Sequence, residues 1–437
     1  MTNQPTDPAD PATPTEERTH SSGFGAFRYA GFRIYFVGML VRGAAMWMPL
    51  VAIPWLAVEA GATAAEIGAI TAVFFLPTLF IGALGGVLAD RAERRNVLIM
   101  TQTSAAILSA LVFLLVVSQT ASLLTLGLAM MGFGALIAVE VPVRQAFMIE
   151  LVPRSEIASA ASLHATSWNV TRLFGPVLAG LLIATVGPGA PFALAAVVSI
   201  VVAVSVVWMD RYRDATRHRG TSTKSVAADL REGLEFVLGE PTVRWSFLLV
   251  AAIATFGISS FVTLSPLFAT EDLSLGAGGF GAFVGASGAG AVTAALLVTA
   301  FVKGDRRPWL VLGAGSMALI LALMSLVDIL ALAFVLAFLM GASQIMVAQN
   351  ALVSVQQATP DDKRGRVMGL WVMVFQGASL FGAILAGWLA ELAGVRGVFF
   401  ISAVVLALIT IAVAVGLRNV AWRSSPVPQP AAEPQPA

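Results

Sequence analysis

The chain has 437 residues, of which 58% are hydrophobic and only 12% are Asp, Glu, Lys or Arg. Soluble domains carry roughly 25% charged residues, so the composition excludes a water-soluble globular protein. The formal net charge of +1 and the dispersal of basic residues over short segments give no support to nucleic-acid binding. The absence of cysteine excludes disulfides, thiolate metal sites and thiol nucleophiles.

The two ends of the chain differ in composition from everything between them. Residues 1–24 are rich in Pro, Thr, Asp and Glu and lack an apolar run, which predicts a disordered cytoplasmic tail and not a signal peptide. Residues 420–437 contain a run of Pro, Gln and Ala, and predict a second cytoplasmic tail.

Between the tails, apolar runs of about 20 residues alternate with short polar turns, and each run is long enough to cross a bilayer as a helix. Six predicted spans in the first half of the chain cover residues 33–58, 64–89, 97–118, 121–147, 157–186 and 190–209. Six more in the second half cover residues 244–269, 276–302, 308–327, 329–357, 367–391 and 396–417. The chain is therefore predicted to be a polytopic membrane protein.

Basic residues recur in every second connection between these spans, whereas the other connections contain only Arg396. Cytoplasmic connections retain Lys and Arg, so both termini are predicted to be cytoplasmic. The basic positions are Arg91, Arg94, Arg95, Arg154, Arg211, Arg213, Arg217, Arg219, Lys224, Arg231, Lys303, Arg306, Arg307, Lys363, Arg364 and Arg366.

An internal repeat relates the fifth span to the eleventh. Residues 173–175 (Leu-Phe-Gly) match residues 380–382, and residues 178–180 (Leu-Ala-Gly) match residues 385–387 at the same offset. The repeat predicts an all-α membrane protein of twelve helices in two pseudo-symmetric six-helix bundles.

The predicted bundles are residues 25–209 and 244–419, joined by a cytoplasmic linker over residues 210–243. In the linker, Ser225 is a predicted cap of a short amphipathic helix, which would lie on the inner membrane surface or form a soluble connection.

Four segments resemble the major facilitator superfamily. The stretch from Gly86 to Arg95 is similar to that family's Gly-x-Leu-Ala-Asp-Arg-x-Gly-Arg-Arg loop, with Glu93 in place of the second glycine. Residues 171–180 resemble the Gly-x-x-x-Gly-Pro-x-x-Gly-Gly motif of its proton-coupled drug antiporters, with departures at Thr171 and Ala179. Residues 142–153 and 361–368 are similar to the branch that includes enterobactin and macrolide exporters. The antiporter-like residues are Gly175, Pro176 and Gly180.

The resemblance implies a secondary transporter that works by alternating access and is neither an enzyme nor dependent on a cofactor. No Gly-x-x-x-x-Gly-Lys-Ser/Thr loop occurs in the sequence, so ATP is not expected to be the direct energy source. We expect a small-molecule substrate and protons as its partners, a lipid bilayer around it, and function as a monomer.

The charges of the loop from Gly86 to Arg95 predict a gate between the two bundles. Asp90 is expected to accept hydrogen bonds from the N-terminus of the eleventh helix, where the helix dipole favours an anion. Arg94 is expected to pair with Glu150 and hold the loop in shape. The alternative is that these charges only enforce topology. The residues assigned to the gate are Gly86, Asp90, Arg91, Arg94, Arg95 and Glu150.

Ionisable side chains inside the first-half spans are predicted to couple transport to protons. They are Arg42, Glu140, Arg144 and Arg172, and each costs roughly 2.5–3.5 kcal/mol to bury in lipid. Apart from Glu66 in the first turn of the second span, Glu140 is the only acid in the first six spans, and it is the predicted proton carrier, with the arginines around it. The alternative is a permanent Arg–Glu ion pair. His164 could relay protons or simply pack through a hydrogen bond.

The second-half spans carry no internal charge apart from Asp328 and Glu391 near the outer ends, and the tenth and eleventh spans carry polar, uncharged side chains. A mostly apolar cavity with a few orienting polar groups suits amphipathic organic molecules. Together with this, the resemblance to exporters implies export of a drug or siderophore from a bacterial inner membrane. The alternatives are an importer or lipid translocator of the same fold, and a non-transporting membrane receptor. No metal site is expected. Predicted cavity residues are Trp47, Trp168, Gln344, Asn350, Trp371 and Gln376.

Overall fold

The computed structural model describes residues 24–91, 93–212, 226–302 and 304–418, without the side chains of residues 81–91, 210, 226–230 and 361. Within these ranges every regular element is helical. A short 3-10 helix, Gly25–Arg28, precedes the first membrane helix. The first-half helices are α1 (Ala30–Glu59), α2 (Ala64–Arg91), α3 (Arg94–Val117), α4 (Leu123–Glu150), α5 (Ile157–Thr185) and α6 (Ala190–Met209). The predicted tails and Ser225 lie outside the described residues.

The second half begins with α7 (Val226–Gly239), which is too short to cross a bilayer. The next crossing, Pro241–Asp272, contains α8 (Pro241–Ala252) and α9 (Ser259–Leu267), each followed by a π-helical turn. The remaining helices are α10 (Ala277–Phe301), α11 (Arg307–Met324), α12 (Leu330–Ala358) and α13 (Asp361–Arg418).

Helix α13 is two crossings joined by a sharp bend. Gly394 has φ of 71° inside it, a left-handed conformation that glycine adopts without steric cost. Residues 361–393 and 395–418 therefore cross separately, and the described ranges contain twelve membrane-crossing helices, as predicted. The largest boundary difference is at the eleventh crossing. It begins at Asp361 instead of residue 367, because the charged residues 361–366 continue the helix beyond its apolar part.

The helices of the two halves pack in the same pattern. In the first half α1 packs on α5, α2 on α4 and α3 on α6; in the second half α8 and α9 pack on the 361–393 crossing, α10 on α12 and α11 on α13. These are equivalent pairs under the sequence repeat, and they form two pseudo-symmetric six-helix bundles, the predicted fold class.

Helix α7 packs on the second bundle and does not lie free. Glu232 accepts a hydrogen bond from Arg366 at 2.6 Å, and Val237 is buried in a cluster with Val243, Phe247 and others. The amphipathic helix expected in the linker thus covers the beginning of the eleventh crossing.

The two faces of the helical assembly differ in charge. We call one the basic end, formed by the connections at residues 93–96, 151–156, 304–307 and 359–366. The other is the opposite end, formed by residues 60–63, 118–122, 186–189, 273–276, 325–329 and 394.

The two bundles are in close contact on the side of the opposite end. A Cβ atom at Gly68 would lie 2.6 Å from the carbonyl oxygen of Ala383, and one at Gly180 would lie 2.7 Å from the Cα of Gly281. Toward the basic end, Gln145 on α4 and Ala165 on α5 are solvent-exposed and line a cavity of about 290 Å³. The structure is therefore closed at the opposite end and open toward the basic end.

We expect Gly180→Ala to disfavour this closed end. The added methyl would lie 2.6 Å from the carbonyl oxygen of Ala277, and overpacking of this kind costs about 1–3 kcal/mol, enough to lower the closed-to-open population ratio about 10-fold. Because the chain has no cysteine, spin labels on introduced cysteines at Thr120 and Leu326, both exposed at the opposite end, report the change as longer label distances.

The matched control is Gly315→Ala, because no heavy atom lies within 4 Å of a Cβ at that position among the described residues. An unchanged distance distribution for Gly180→Ala would show that the contact between α5 and α10 does not hold the end closed.

Candidate functional site

A buried ion cluster joins three helices of the first bundle around Glu140 on α4. Arg42 on α1 donates from Nη2 to Oε2 of Glu140 at 2.7 Å, and Gln102 on α3 donates from Nε2 to Oε1 at 2.7 Å. Arg144, one turn along α4, also pairs with Oε1. Glu140 and Arg42 are only 3% and 5% exposed, so these contacts form with little water around them.

Every described group that contacts the Glu140 carboxylate is a hydrogen-bond donor, and two of the three are cations. Charge-assisted hydrogen bonds of this kind favour the ionised carboxylate. The conformation described contains an Arg–Glu ion pair, which is the alternative to a proton carrier predicted above. The role of Glu140 as a proton carrier stays a prediction.

Two members of the cluster were not recognised from the sequence, Gln102 and Tyr35. The Tyr35 hydroxyl donates to the carbonyl oxygen of Arg144 at 3.3 Å and lies 2.9 Å from Nδ1 of His164. A glutamine inside the uncharged 97–118 span was the available signal, because a polar side chain in an apolar span needs a buried partner. Tyr35 gave no such signal, since tyrosine is common at the ends of membrane helices.

The ion cluster forms part of the wall of a cavity of about 290 Å³ between the middle of the membrane and the basic end. Its lining combines the charged pair with neutral polar and aromatic groups from α4 and α5. These side chains are Glu140, Arg144, Gln145, His164, Trp168 and Asn169. Trp168, a predicted substrate-cavity residue, thus lines this cavity with Glu140 and Arg144, and its role in substrate binding stays a prediction.

Arg172 lies apart from the ion cluster, contrary to the expectation that it would join the arginines around Glu140. It points across the boundary between the bundles, where its Nη2 donates to Oε1 of Gln344 on α12. Its backbone lies on the α5 surface that packs on α10: a Cβ at Gly288 would be 2.7 Å from Cα of Leu173. The helical rotation of α5, which hydropathy does not report, decides this.

Arg172 and Gln344 line a second, smaller chamber of about 60 Å³ between the two bundles. Residues of both halves contribute to its wall. They include Trp47, Arg172, Phe261, Met317, Met340 and Gln344. Two of the predicted cavity residues, Trp47 and Gln344, are thus brought together here.

Three other predicted cavity residues lie elsewhere. Asn350 is fully buried, accepts a hydrogen bond from Arg306 at 3.2 Å and donates to the carbonyl oxygen of Met346 at 2.7 Å. Trp371 packs edge-to-face on Phe247, with ring centroids 5.6 Å apart, and Gln376 is half-buried. Asn350 and Trp371 thus contact residues of the second bundle and line neither of the two cavities described above.

Part of the predicted gate is visible at the basic end. Arg94 donates to Oε1 of Glu150 at 2.8 Å and to the carbonyl oxygen of Ala146 at 3.4 Å, so it fixes α3 against the end of α4. Arg95 donates to Oδ1 of Asn96 at 3.3 Å. The side chains of Gly86, Asp90 and Arg91 lie outside the described residues, and the contact expected of Asp90 stays a prediction.

The antiporter-like residues of α5 lie at helix contacts. A Cβ at Gly175 would lie 2.7 Å from Cβ of Trp47 on α1, while the Pro176 carbonyl oxygen and Gly180 face Gly281 on α10. The motif thus holds α5 against both its own bundle and the other bundle. Its transport role stays a prediction.

A contact that the sequence did not reveal joins the bundles at the opposite end. Oε1 of Glu391, near the end of the eleventh crossing, accepts a hydrogen bond from the backbone N–H of Ala65 in the first turn of α2 at 2.9 Å. A carboxylate at a helix N-terminus is stabilised by the helix dipole. We refer to this contact as the Glu391 cap.

The ion cluster predicts a particular stability pattern. Glu140→Gln leaves Arg42 and Arg144 buried without a carboxylate, and breaking a buried ion pair costs about 3–5 kcal/mol. The free energy of unfolding in mixed micelles should fall by about that amount. The double variant Arg42→Gln/Glu140→Gln should regain part of the loss, because it removes one of the unpaired cations. Additive losses in the double variant would contradict the cluster.

The Glu391 cap predicts a shift in conformation. Glu391→Gln removes the negative charge beside the α2 N-terminus, so the closed-to-open ratio at the opposite end should fall. Labels at Thr120 and Leu326 measure it. Glu271→Gln, an exposed acid at the same end, is the matched control, and equal distance distributions for both variants would show that the cap does not hold the end closed.

Comparison with known proteins identifies the family of this chain and several relatives. The family model described as transmembrane secretion effector matches residues 21–433. Relatives include the uncharacterised major facilitator transporter YfiS of Bacillus subtilis, 27% identical, covering 85% of this chain and 89% of that protein. The multidrug efflux pump Tap of Mycolicibacterium fortuitum is 26% identical and covers 82% and 89%. The enterobactin exporter EntS of Escherichia coli is also 26% identical and covers 72% and 74%.

Solved structures show the same fold at lower identity. A bacterial homologue of the lysosomal transporter Spinster, in an inward-facing conformation, aligns with a TM-score of 0.67 at 14% identity, covering 89% of this chain and 97% of that one. A POT family transporter aligns with a TM-score of 0.70 at 13% identity, covering 88% and 95%. The family and these relatives are transporters and not enzymes, and this multi-pass membrane chain belongs to the transmembrane secretion effector family of the major facilitator superfamily.

Proposed function

We propose that the protein exports a small amphipathic organic compound of the drug or siderophore class in exchange for protons, by alternating access. The observation that carries the proposal is the ion cluster around Glu140, which forms one wall of the cavity that is open toward the basic end. The efflux pump and the siderophore exporter among its relatives support the direction and the substrate class.

The charge distribution supports an orientation for this cycle. Arginine-rich connections stay in the cytoplasm, so the basic end faces the cytoplasm of a bacterial inner membrane and both termini are cytoplasmic. The conformation described is then inward-facing. The transporting units in this proposal are the bundles 25–209 and 244–419, acting within one monomer.

The proposed proton step uses the contacts of Glu140. In the inward-facing state Arg42, Arg144 and Gln102 hold the carboxylate ionised, which corresponds to the state after a proton has left to the cytoplasm. For a proton to bind from outside, the outward-facing state must move at least one arginine away from Glu140. Such a difference in proton affinity between the two states is what couples protonation to the conformational change.

The proposed substrate step uses the cavity beside the cluster. Trp168 supplies a large apolar surface, while Gln145 and Asn169 supply hydrogen-bonding groups. A volume of about 290 Å³ is at the lower limit of pockets for drug-sized ligands, roughly 300–1,000 Å³. A compound that occupies this cavity lies against Glu140 and Arg144, so substrate binding and proton release share one wall.

Proton flux in proteoliposomes with an internal pH-sensitive dye tests the proposal. A panel of siderophores and of cationic and neutral drugs should produce substrate-dependent proton movement with the wild type. In Glu140→Gln we expect this movement to fall at least about 100-fold, because a required acid–base group is lost.

The control is Glu59→Gln, which changes an exposed acid at the end of α1 and should leave the flux unchanged. Equal flux in the wild type and Glu140→Gln would refute Glu140 as the carrier. The direction of transport is measured in vesicles that hold the protein in one known orientation. Substrate movement opposite to the proposed direction would favour an importer or lipid translocator of the same fold.

A further inference from the structure

The small chamber between the bundles holds a cation without a matching anion. Arg172 can donate five hydrogen bonds, and its described partner is the neutral amide oxygen of Gln344. Among the described residues, no carboxylate lies within ion-pair distance of Arg172. A buried guanidinium is costly unless it is paired, and here the pairing is incomplete.

A second donor beside the chamber also lacks an acceptor. Trp47 lines the chamber, and its buried Nε1–H has no hydrogen-bond partner among the described groups. Arg172 is the cation among the described lining groups, and most of the others named above are apolar. A ligand that supplies acceptor atoms and negative charge pairs with Arg172.

The charges of the wider central region sum to a net positive charge. The described interior of the first bundle contains three guanidinium groups, those of Arg42, Arg144 and Arg172, and one carboxylate, that of Glu140. Arg42 and Arg144 share that carboxylate. The interior therefore carries an excess of positive charge that an anionic ligand lowers and a cationic ligand raises.

We propose that Arg172 and Trp47 form a binding site for the anionic group, such as a carboxylate, of the exported compound. The inference rests on the proposed export function and names the chemical class of its substrate. The chamber of about 60 Å³ accommodates a charged headgroup, and Trp168, one helical turn from Arg172 on α5, places the apolar body of the compound in the adjoining cavity of about 290 Å³.

The position of the site between the bundles connects binding with movement. Arg172 belongs to the first bundle and Gln344 to the second, so the distance between them changes when the bundles rock. An anion that binds Arg172 replaces the Gln344 contact and thereby removes one interaction that holds the bundles in the inward-facing arrangement. The substrate anion thus favours the conformational change that exports it.

The test uses three probes with one ring system: 2-naphthoate, 2-naphthamide and 2-naphthylmethylammonium, which are anionic, neutral and cationic at pH 7.5. Binding to the full-length protein in nanodiscs is measured by titration calorimetry, with empty nanodiscs subtracted. The wild type should bind the carboxylate at least about 10-fold more tightly than the amide, the ratio expected for one charge-assisted pair, and the ammonium most weakly.

Three variants locate the preference. Arg172→Gln should bind the carboxylate and the amide equally. Gln344→Glu supplies an internal counter-ion to Arg172 and should also abolish the preference while the arginine remains, which keeps the test valid if Arg172→Gln does not fold. Gln344→Met, which removes the amide without adding charge, should keep the preference.

Absence of a carboxylate preference in the wild type, or its persistence in Gln344→Glu, overturns the site. The same experiments distinguish failure of the anion site from failure of the proposed function. Proton-coupled flux of neutral or cationic drugs without any carboxylate preference overturns only the anion site. A carboxylate preference that depends on Arg172, without proton movement for any compound, supports the site and overturns proton exchange.

Discussion

The ion cluster of Arg42, Glu140 and Arg144 is the constraint on which the first bundle depends. A carboxylate and two guanidinium groups in the middle of a membrane helix bundle are tolerated only because they contact each other. These contacts determine the mutual rotation of α1 and α4, and Gln102 extends the constraint to α3. The cavity wall at Glu140 is therefore held by contacts within one bundle, and the proposed proton step requires that at least one of these contacts breaks in the outward-facing state.

The two charged positions of the first bundle have separate surroundings and suit separate tasks. The cluster at Glu140 is internally paired and lies within one bundle, which suits a group that changes protonation between conformations. Arg172 is paired with a neutral amide across the bundle boundary, which suits contact with a ligand. Three arginines that look alike in the sequence thus differ because their helix faces lead to different neighbours.

The sequence predicted the twelve crossings and the repeat correctly, because hydropathy and internal similarity depend on composition and period, which tertiary packing does not alter. It also placed Glu140 and Arg144 on one helical face. It could not predict that Arg172 meets Gln344, that Asn350 is buried against Arg306, or that Gln102 completes the cluster. Each of these contacts depends on helix rotation or on how far a side chain reaches across helices. The hydropathy of an apolar span does not report its rotation.

The two partners of the Glu391 cap differ in how far they tolerate substitution. The acceptor is a side chain, but the donor is the backbone N–H of Ala65, and every amino acid except proline supplies that group. Any residue except proline at position 65 therefore keeps this donor, whereas position 391 must keep an acceptor of the right length. At position 65 the limit is space, because the Cα of Ala65 would lie 3.2 Å from a Cβ atom placed on Gly387 of the other bundle.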